Sequence, residues 1–472
     1  MIKESIHKYS DEYLCKKICD NFNLNDILLL TDEFERNIQF ELYNDYILSK
    51  IRLIINDCMY ILIENEYTEA IWKEIFSIHY AHTSYCNNNK VMRVHFFSKE
   101  LNLNNDINND ILTQSYLGYI TLRPVPDFNL MLSFVVPNWS ILKYKEDSYI
   151  MTCEKIVHIF SYKIQIKTFS FYSQDSVVTT CAQADIIMFS TYTNIKYNHK
   201  LIKVSDIQEY MKYSPLPSKG LTAKEMLEIF RSNGSPVDYH LKKKIKDKRM
   251  KHTKHKEEGI PYNESLNHIT NIVDSYIESG LPVIAYKAKH VVLIIGHTKN
   301  RRHYIIYDDS GAFLKKANGE DSFIGMVSNR QLFPNNNETT YLICATHGRV
   351  YLTAEEYDGF VDEEIENLDI PQSFISRKRN IIIDNVDLKS YLRSLLNPDL
   401  KFEEYIKQDI IDLINKNLPH YLWYTELFLK DNTIIVLIGD TTYPVNTNLN
   451  IFKLICCIPP NYQLSLLTHI TK

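Results

Sequence analysis

The spacing of apolar residues changes several times along the chain, and each change predicts a different kind of secondary structure. Over residues 1–90, apolar residues recur three and four positions apart, most clearly at 43–55 and 70–78, with few glycines or prolines between them. This spacing is typical of helices that bury one face. We therefore predict a helical N-terminal region over residues 1–90.

Runs of β-branched and aromatic residues come next, separated by polar breaks. The four runs lie at residues 91–97, 116–124, 130–136 and 157–166. An asparagine-rich break at residues 102–109 separates the first run from the second. Runs of this composition between turn residues are typical of strands. They predict a β-rich layer over residues 91–165.

The C-terminal part alternates between charged and apolar segments. A charged segment at residues 355–366 predicts a loop, and residues 402–418 have the spacing of a helix. Residues 426–439 form two apolar runs with a turn at residues 431–432 between them, which is typical of a β-hairpin. We predict a C-terminal α/β extension over residues 351–472.

The region between these parts, residues 166–350, contains most of the chain's glycines. Eight of the twelve glycines lie between residues 220 and 325, so tight turns are concentrated there. Thr222 and Glu225 have the spacing of a helix capping box, and Gly234 is a suitable C-terminal end for that helix.

The same region holds a candidate nucleophile. Cys181 lies between a threonine pair and a run of small and apolar residues that predicts a helix. A thiol attacks a carbonyl as the thiolate, and an ordinary cysteine with a pKa of about 8.5 is mostly protonated near neutral pH. Unpaired N–H groups at a helix N-terminus and a nearby imidazolium both favour the thiolate. Cys181 is therefore placed as a nucleophile would be.

A histidine and a carboxylate follow on two consecutive predicted strands. His290 begins an apolar run, the chain turns at residues 298–302, and it returns to Asp308 and Asp309. If the numbers of paired residues sum to about 600, His290 and Asp308 share a face, and a one-residue slip would favour Asp309 instead. The rival His297 lies seven residues along, on the opposite face at the hairpin tip. We prefer His290 as the base, with Asp308 or Asp309 orienting it.

Gln174 is the candidate for a further role. It lies seven positions before Cys181. Its side-chain amide, with the backbone N–H of Cys181, could donate to the oxyanion of a tetrahedral intermediate, and each such donor contributes roughly 3 kcal/mol to transition-state stabilisation.

Composition and charge narrow the class of protein. A chain of 472 residues favours two or three domains, and 45% apolar with 24% charged residues is typical of globular proteins. The net charge of −5 gives no reason to expect nucleic acid as a partner. The N-terminal residues lack the apolar segment of a signal peptide, and no run reaches the ~18 apolar residues of a membrane span. We expect a cytoplasmic protein that does not insert in a membrane.

Cysteine usage and the histidines give no sign of a metal. Nine scattered cysteines, an odd number, favour reduced thiols over disulfides. Cys15 and Cys19 have no second pair to complete a zinc site, and His252 and His255 lie within a lysine-rich run at residues 242–256. We expect neither a metal nor an organic cofactor. The lysine run is interpreted as a solvated loop, with a patch for phosphate, nucleic acid or an acidic partner as the alternative.

With these residues in place, the sequence resembles the papain-like superfamily, and within it the bacterial group that includes double-glycine leader peptidases. The matching positions are Gln174, Cys181 with Ala184, the segment 280–284, His290 with Gly296, and Asp308. Residues 118–124 and 174–184 also look similar to an uncharacterised bacterial family with a papain-like centre. The sequence departs from the bacterial peptidase group at Ala182, where that group has glycine, and at Asp185, where it has alanine.

The resemblance implies an α+β protein with a papain-like catalytic core over residues 166–350. In such a core a helix that carries the cysteine packs on an antiparallel sheet that carries His and Asp. The implied activity is that of a cysteine peptidase with Cys181, His290, Asp308 and Gln174 as catalytic residues, acting on a protein or peptide. Two alternatives stay open: a catalytically degenerate scaffold that binds a partner protein, and a transglutaminase-like acyltransferase.

Overall fold

The structure, a computed structural model, describes only part of the chain. The described residues are 6–10, 13–14, 17, 58–82, 89–99, 109–124, 133–135, 148–159, 162–174, 179–210, 220–244, 260–287, 290–319, 322–336, 338, 340–398, 402–430, 434–441 and 451–456. The chain divides into two compact units. Unit 1 comprises Met1–Ile229 and Ile284–Pro334, and unit 2 comprises Phe230–Val283 and Asn335–Lys472.

Unit 1 contains strands of two antiparallel sheets and the helices that accompany them. Its strands are β1 (Ile6–Lys8), β2 (Tyr60–Tyr67), β3 (Val91–Phe97), β4 (Tyr116–Leu122), β5 (Ser133–Val135), β6 (Ser148–Ile150), β7 (Cys153–Ile159), β8 (Tyr162–Phe171), β11 (His290–Thr298), β12 (His303–Tyr307) and β13 (Ile324–Ser328). Its helices are α1 (Ala70–Ile78), α2 (Asn109–Ser115), α3 (Cys181–Tyr197), α4 (Val204–Tyr210), α7 (Ala312–Asn318) and α8 (Asn329–Leu332), with a 3₁₀ turn at Tyr80–His82. The unit boundaries fall within α5 (Ala223–Ser232) and β10 (Val283–Lys287).

The first sheet of unit 1 curls around its own core. Its strand order is β1-β2-β3-β4-β5-β8-β7. Leu62 of β2 and Val157 of β7, from opposite ends of that order, belong to one cluster of buried residues. Two strands this far apart in a flat sheet could not share a core, so the sheet must bend toward itself.

Gly118 in β4 is required by a close backbone approach. Its φ is +110°, and a Cβ built on it would lie 2.3 Å from the carbonyl oxygen of Phe134 on β5. We expect Gly118→Ala to lower the free energy of unfolding by about 3 kcal/mol or more, because backbone strain and overpacking each cost about 1–3 kcal/mol.

Urea unfolding would measure this change, with Gly319→Ala as the matched control. Gly319 also has a positive φ, +77°, but a Cβ there would meet nothing within 4 Å. We expect the control to cost only about 1–2 kcal/mol, the penalty of the left-handed conformation alone. Equal losses in the two variants would contradict the role given to the Phe134 carbonyl.

The second sheet of unit 1 carries the region of interest. Strands β13, β12, β11 and β10 lie side by side in that order, and β6 pairs with the end of β11. Leu293 pairs with Tyr307, the register predicted from a sum of about 600. A bulge between Ile294 and Gly296 then shifts the pairing by one residue. The predicted register is therefore confirmed at the end of the hairpin next to His290.

Unit 2 contains a four-stranded antiparallel sheet, helices and the paired strands β9 and β14. Its strands are β9 (Val237–Leu241), β14 (Thr340–Ala345), β15 (Ile375–Asp384), β16 (Tyr421–Leu429), β17 (Ile434–Asp440) and β18 (Ile451–Cys456). Its helices are α6 (Tyr262–Glu278), α9 (Ala354–Asn367), α10 (Asn385–Leu395) and α11 (Glu404–Asn415), with a 3₁₀ turn at Gln372–Phe374. The sheet order is β15-β16-β17-β18, and β9 pairs with β14.

A buried ion-pair network joins one helix of unit 2 to its sheet. The Arg379 guanidinium on β15 donates from Nε to Glu278 of α6 and from Nη1 to Glu426 of β16, the latter at 3.1 Å. All three side chains are buried. Each charge therefore has a partner where water cannot solvate it.

Several sequence predictions are confirmed. The mixed helical and antiparallel β structure is as expected, and α1, β3, β4 and α11 form where apolar spacing placed them. The capping box of α5 is present, since the N–H of Thr222 donates to Glu225 at 2.7 Å and the N–H of Glu225 donates back to Thr222 Oγ1 at 3.3 Å. The strands of the C-terminal hairpin pair as predicted.

Other predictions are wrong in identifiable ways. Residues 60–67, placed in a helical region, form strand β2, and residues 157–166 belong to two strands rather than one. The charged segment 355–366 lies in helix α9, because Thr353 and Glu356 cap it and apolar residues recur along one face. The many acidic residues of this segment led to the prediction of a loop, although its apolar residues have helical spacing.

Some predictions fall outside the described residues. These are the apolar run at 43–55, the asparagine-rich segment 102–108, the turn at 431–432, Cys15 and Cys19, and most of the lysine run, including His252 and His255. The four region boundaries proposed from the sequence stay predictions. Among the described residues, no helix has the length and apolar character needed to cross a membrane.

Candidate active site

Cys181 is the first residue of helix α3. The backbone N–H of Thr180, the residue before it, donates to Oε1 of Gln183 at 2.6 Å, which fixes the start of the helix. The order Thr-Cys-Ala-Gln thus has the spacing of a capping box, a sequence signal that supports the predicted helix start. The Cys181 side chain is half-buried, so it stays accessible at the first turn.

The rest of α3 is buried against strands β7, β8 and β11. Ala182 and Ala184 keep the first turn narrow. Farther along, Ser170 Oγ donates to the carbonyl of Met188 at 2.9 Å, and the ring of Phe169 stacks on that of Tyr192 with centroids 4.5 Å apart. The helix that carries Cys181 is therefore held rigidly on both sheets of unit 1.

His290, the first residue of β11, is the imidazole that meets Cys181. Its Nε2 lies 2.8 Å from Oδ1 of Asp308 and 3.9 Å from Oδ1 of Asp309. Burial disfavours the imidazolium, but hydrogen bonds with Asp308 and Cys181 and the charges of the two carboxylates outweigh it and raise the pKa of His290 to about 11. Since Nε2 is occupied by Asp308, Nδ1 is the nitrogen left to exchange a proton with the thiol.

Asp308 is the most fully hydrogen-bonded group of the site. Its Oδ2 accepts the backbone N–H groups of Phe313 and Leu314 at 2.7 and 3.0 Å, and its Oδ1 accepts His290 and, at 3.3 Å, the hydroxyl of Ser310. Burial by itself would raise the pKa of this carboxyl, but these bonds and the imidazolium hold it below its usual value. Asp308 is therefore a fixed, ionised acceptor for His290.

Asp309 lies beside Asp308 in a different environment. It is fully buried, and in the part of the chain that the structure describes neither carboxyl oxygen has a hydrogen bond of good geometry. Burial raises the pKa of Asp309 to about 7, with a further contribution from Asp308, while His290 and the backbone N–H groups of Gln174 and Ser310 act in the opposite direction. Of the two candidate carboxylates, Asp308 makes the closer contact with the imidazole.

Asp185 is part of the same cluster, and the sequence analysis gave it no role. It follows Cys181 by four residues on α3, so the two side chains share a helix face. Asp185 is fully buried, and neither of its oxygens has a hydrogen-bond partner among the described residues. Burial, then the charges of Asp309 and of a Cys181 thiolate, raise the pKa of Asp185 well above its usual range. Its spacing from Cys181 is the signal that could have revealed it.

Gln174 reaches the site through its backbone. It is half-buried at the end of the segment after β8, and its N–H contributes to the environment of Asp309. Arg123, fully buried, donates from Nη2 to the carbonyl of Ser173 at 3.1 Å and so holds the residue before Gln174. The predicted oxyanion role of the Gln174 side chain stays a prediction.

The rival histidine is not part of the cluster. His297 is buried near the far end of β11, where its Nδ1 hydrogen-bonds with the carbonyl of Thr298 at 2.8 Å and its ring contacts Tyr149. The structure thus brings together Cys181, His290, Asp308 and Asp309 from α3 and the β11–β12 hairpin.

One atom each from His290, Asp308 and Asp309 lie within 4.8 Å of one another, close enough to hold a cation. However, the Asp308 oxygens already accept His290, the hydroxyl of Ser310 and two backbone N–H groups. A metal would have to replace the imidazole at Oδ1. These side chains therefore fit a hydrogen-bonded His290–Asp308 pair better than a metal centre.

Comparisons with known proteins identify no relative by sequence. No protein-family model matches the chain, and no curated protein matches it. Among solved structures, the chain is similar to UfSP from C. elegans, at 11% identity and a TM-score of 0.29, over 44% of this chain and 36% of that one. The match thus spans little more than a third of UfSP, and at that TM-score it carries no argument about activity.

Proposed function

We propose that this protein is a cysteine hydrolase with a papain-like core, and that it cleaves an amide bond in a protein or peptide. The observation that carries the proposal is the linkage of three groups: a half-buried thiol at a helix N-terminus, an imidazole whose pKa that thiol helps to raise, and a buried carboxylate 2.8 Å from that imidazole. Nucleophile, base and orienting acceptor in this order are what acyl transfer through a thiol requires.

In the proposed mechanism, His290 holds the proton of Cys181 and the thiolate attacks the substrate carbonyl. The new C–S bond pushes the C=O electrons onto oxygen, and the backbone N–H groups at the start of α3, with the Gln174 amide, stabilise the oxyanion. Collapse breaks the C–N bond as His290 gives its proton to the leaving amine. Water then attacks the thioester and gives a proton to His290, and the C–S bond breaks to release the acid. Asp308 orients the imidazole throughout.

Reaction with an electrophilic thiol probe at neutral pH would test the nucleophile. Cys181 is expected to react roughly tenfold faster than an ordinary thiol, and His290→Ala to remove most of that advantage, because the imidazolium stabilises the thiolate. Mass spectrometry of the labelled peptide would identify the site.

Cys181→Ala and Cys58→Ala are the matched variants for that experiment. Cys58 is also half-buried in unit 1, but burial raises its pKa to about 11. Labelling should therefore be lost in Cys181→Ala and unchanged in Cys58→Ala. Persistent labelling in Cys181→Ala would refute the assignment. If Cys181 is the reactive thiol, profiling of new N-termini in treated lysate would test whether the protein cuts other proteins.

The second candidate is a binding protein on an inactive scaffold of the same fold. The observation that favours it is the buried carboxyl of Asp185, one helical turn from Cys181, because an ionised carboxylate there would oppose the thiolate. An unreactive Cys181 at every pH would support this alternative over hydrolysis or acyl transfer.

A further inference from the structure

A cavity away from the candidate active site lies in the curled sheet of unit 1. Its volume is about 430 Å³, within the range of small-molecule sites, and it is lined by β2, β3, β4, β5 and β7 together with the start of α1. None of Cys181, His290, Asp308 and Asp309 lines it. The cavity therefore needs an explanation of its own.

An irregularity in β2 shapes one wall. The pairing of β2 with β3 shifts between Glu64 and Tyr67, and Glu66 within this bulge has a φ of +58°. A non-glycine residue in that conformation costs about 1–3 kcal/mol. The bulge aims the Tyr67 ring at the guanidinium of Arg93, whose central carbon lies 3.3 Å from the ring centroid.

In the part of the chain that the structure describes, the cavity is lined by two cationic side chains, of which one has an ion-pair partner and the other does not. Arg93 contacts a second ring, since the Tyr119 centroid lies 4.3 Å from its guanidinium carbon, and its Nη1 lies 3.5 Å from Glu64. Lys155 of β7 has no acidic partner among the described residues, and its Nζ lies 4.9 Å over the ring of Phe134. Burial and then the charge of Arg93 lower the pKa of Lys155.

Both acids that line the cavity already have partners. Glu64 accepts from His95 at 3.0 Å and pairs with Arg93. Glu69 is the N-cap of α1 and accepts the N–H of Trp72 at 2.7 Å. Since each acid already has an internal hydrogen bond or ion pair, Lys155 is the charged lysine or arginine lining the cavity that has no ion-pair partner among the described residues.

We propose that this cavity binds a small carboxylate whose apolar or aromatic body packs on Phe134 and Tyr119. The carboxylate would accept a charge-assisted hydrogen bond from Lys155, with Arg93 held rigidly nearby. A carboxylate supplies the ion-pair partner that Lys155 lacks, whereas Glu64 and Glu69 would repel a phosphate dianion more strongly than a monoanion. A free small acid and the C-terminus of a peptide present the same chemistry.

Ligands with one body and different charge would test the proposal. Phenylacetate, phenylacetamide and phenethylamine differ chiefly in being negative, neutral and positive. Calorimetric titration of the full chain is expected to give phenylacetate a Kd roughly tenfold or more below that of the amide, because a hydrogen bond to a charged group contributes ~1.5–3 kcal/mol. Phenethylamine should not bind. Equal binding of the three would overturn the proposal.

Variants at Lys155 connect the charge preference to this site. Lys155→Gln should abolish the preference for phenylacetate over its amide, and Lys155→Arg should keep it. Lys163→Gln, an exposed lysine on the neighbouring strand β8, is the matched control and should change nothing. An unchanged Kd in Lys155→Gln, in protein with wild-type thermal stability, would refute the site.

A peptide distinguishes the two sources of the carboxylate. A tripeptide that ends in phenylalanine would be titrated with its C-terminus free and amidated. Binding of the free form alone supports a peptide terminus as the ligand. Binding of phenylacetate without the tripeptide supports a free small acid. Tighter binding of inorganic phosphate than of phenylacetate would overturn the choice of a carboxylate.

Discussion

Replacing Asp308 by alanine is expected to slow acylation of Cys181 by about 10⁴-fold, the scale seen when the orienting member of a catalytic triad is lost. Its Oδ1 is the acceptor for Nε2 of His290 at 2.8 Å, and its Oδ2 is fixed by two backbone N–H groups at α7. Without this acceptor the imidazole would lose both its orientation and the stabilisation of its charged form. The initial burst with an activated ester would measure the acylation rate.

Two further variants separate orientation from charge. Asp308→Asn keeps an oxygen that can accept from His290 but removes the negative charge, so we expect a loss of about 10⁴-fold, close to that of Asp308→Ala, if the charge is what matters. Asp309→Asn should have a much smaller effect, because Asp309 Oδ1 is 3.9 Å from the imidazole nitrogen. If Asp309→Asn instead abolished acylation while Asp308→Ala did not, Asp309 would be the third residue.

Unfolding must be excluded in Asp308→Ala, since the change leaves two backbone N–H groups without an acceptor. Circular dichroism and a thermal melt would show whether the variant is folded. Asp308→Asn offers a second comparison, because its amide oxygen preserves one acceptor. A folded Asp308→Ala protein with wild-type acylation would remove Asp308 from the proposed mechanism.

Local pattern was enough to predict the parts of the site that depend on neighbouring residues. The helix start at Cys181, the β11–β12 hairpin and its register beside His290 each follow from a few adjacent residues. The register placed Asp308 rather than Asp309 on the face of His290, and the 2.8 Å contact agrees with that choice. Short-range signals are reliable here because the turn and the alternation of side chains fix the geometry.

Features that depend on distant pairing could not be predicted. Strand β2 joins the first sheet only through its partners β1 and β3, so residues 60–67 carry a weak local signal. The cavity beside Lys155 needs strands from both ends of a curled sheet, and nothing near Lys155 in the sequence identifies its neighbours. At such positions, packing against distant residues determines the secondary structure more than local propensity does.

Asparagine at position 185 is expected to make the protein more stable than wild type above neutral pH. An aspartate in an unfolded chain has a pKa near 3.9. In the folded state the pKa of Asp185 lies well above that value, and the pKa of Asp309 is raised to about 7. The folded state therefore binds protons that the unfolded state has released. Their contribution to stability is complete below about pH 4 and is lost as pH rises through the folded pKa values.

The asparagine side chain does not titrate, so the advantage of Asp185→Asn over wild type should grow with pH. We expect the difference to increase steadily from pH 4 upward, because the Asp185 pKa is raised in the folded state. Urea unfolding between pH 4 and 9 would measure it. Glu209→Gln, which replaces an exposed acid on α4, is the control and should parallel wild type. A difference that stays constant with pH would contradict the raised pKa of Asp185.

The same substitution should change the reactivity of Cys181. The charges of Cys181 and of the other site residues act on Asp185. Ionisation of Asp185 therefore places an additional negative charge beside the thiolate. We expect Cys181 to be labelled faster in Asp185→Asn than in wild type at pH 8, because asparagine cannot place a negative charge beside the thiolate. The unusual aspartate would then act as a proton-holding group that limits the site at high pH. If Asp185→Asn were less reactive at every pH, the carboxyl would instead be needed to position the thiol.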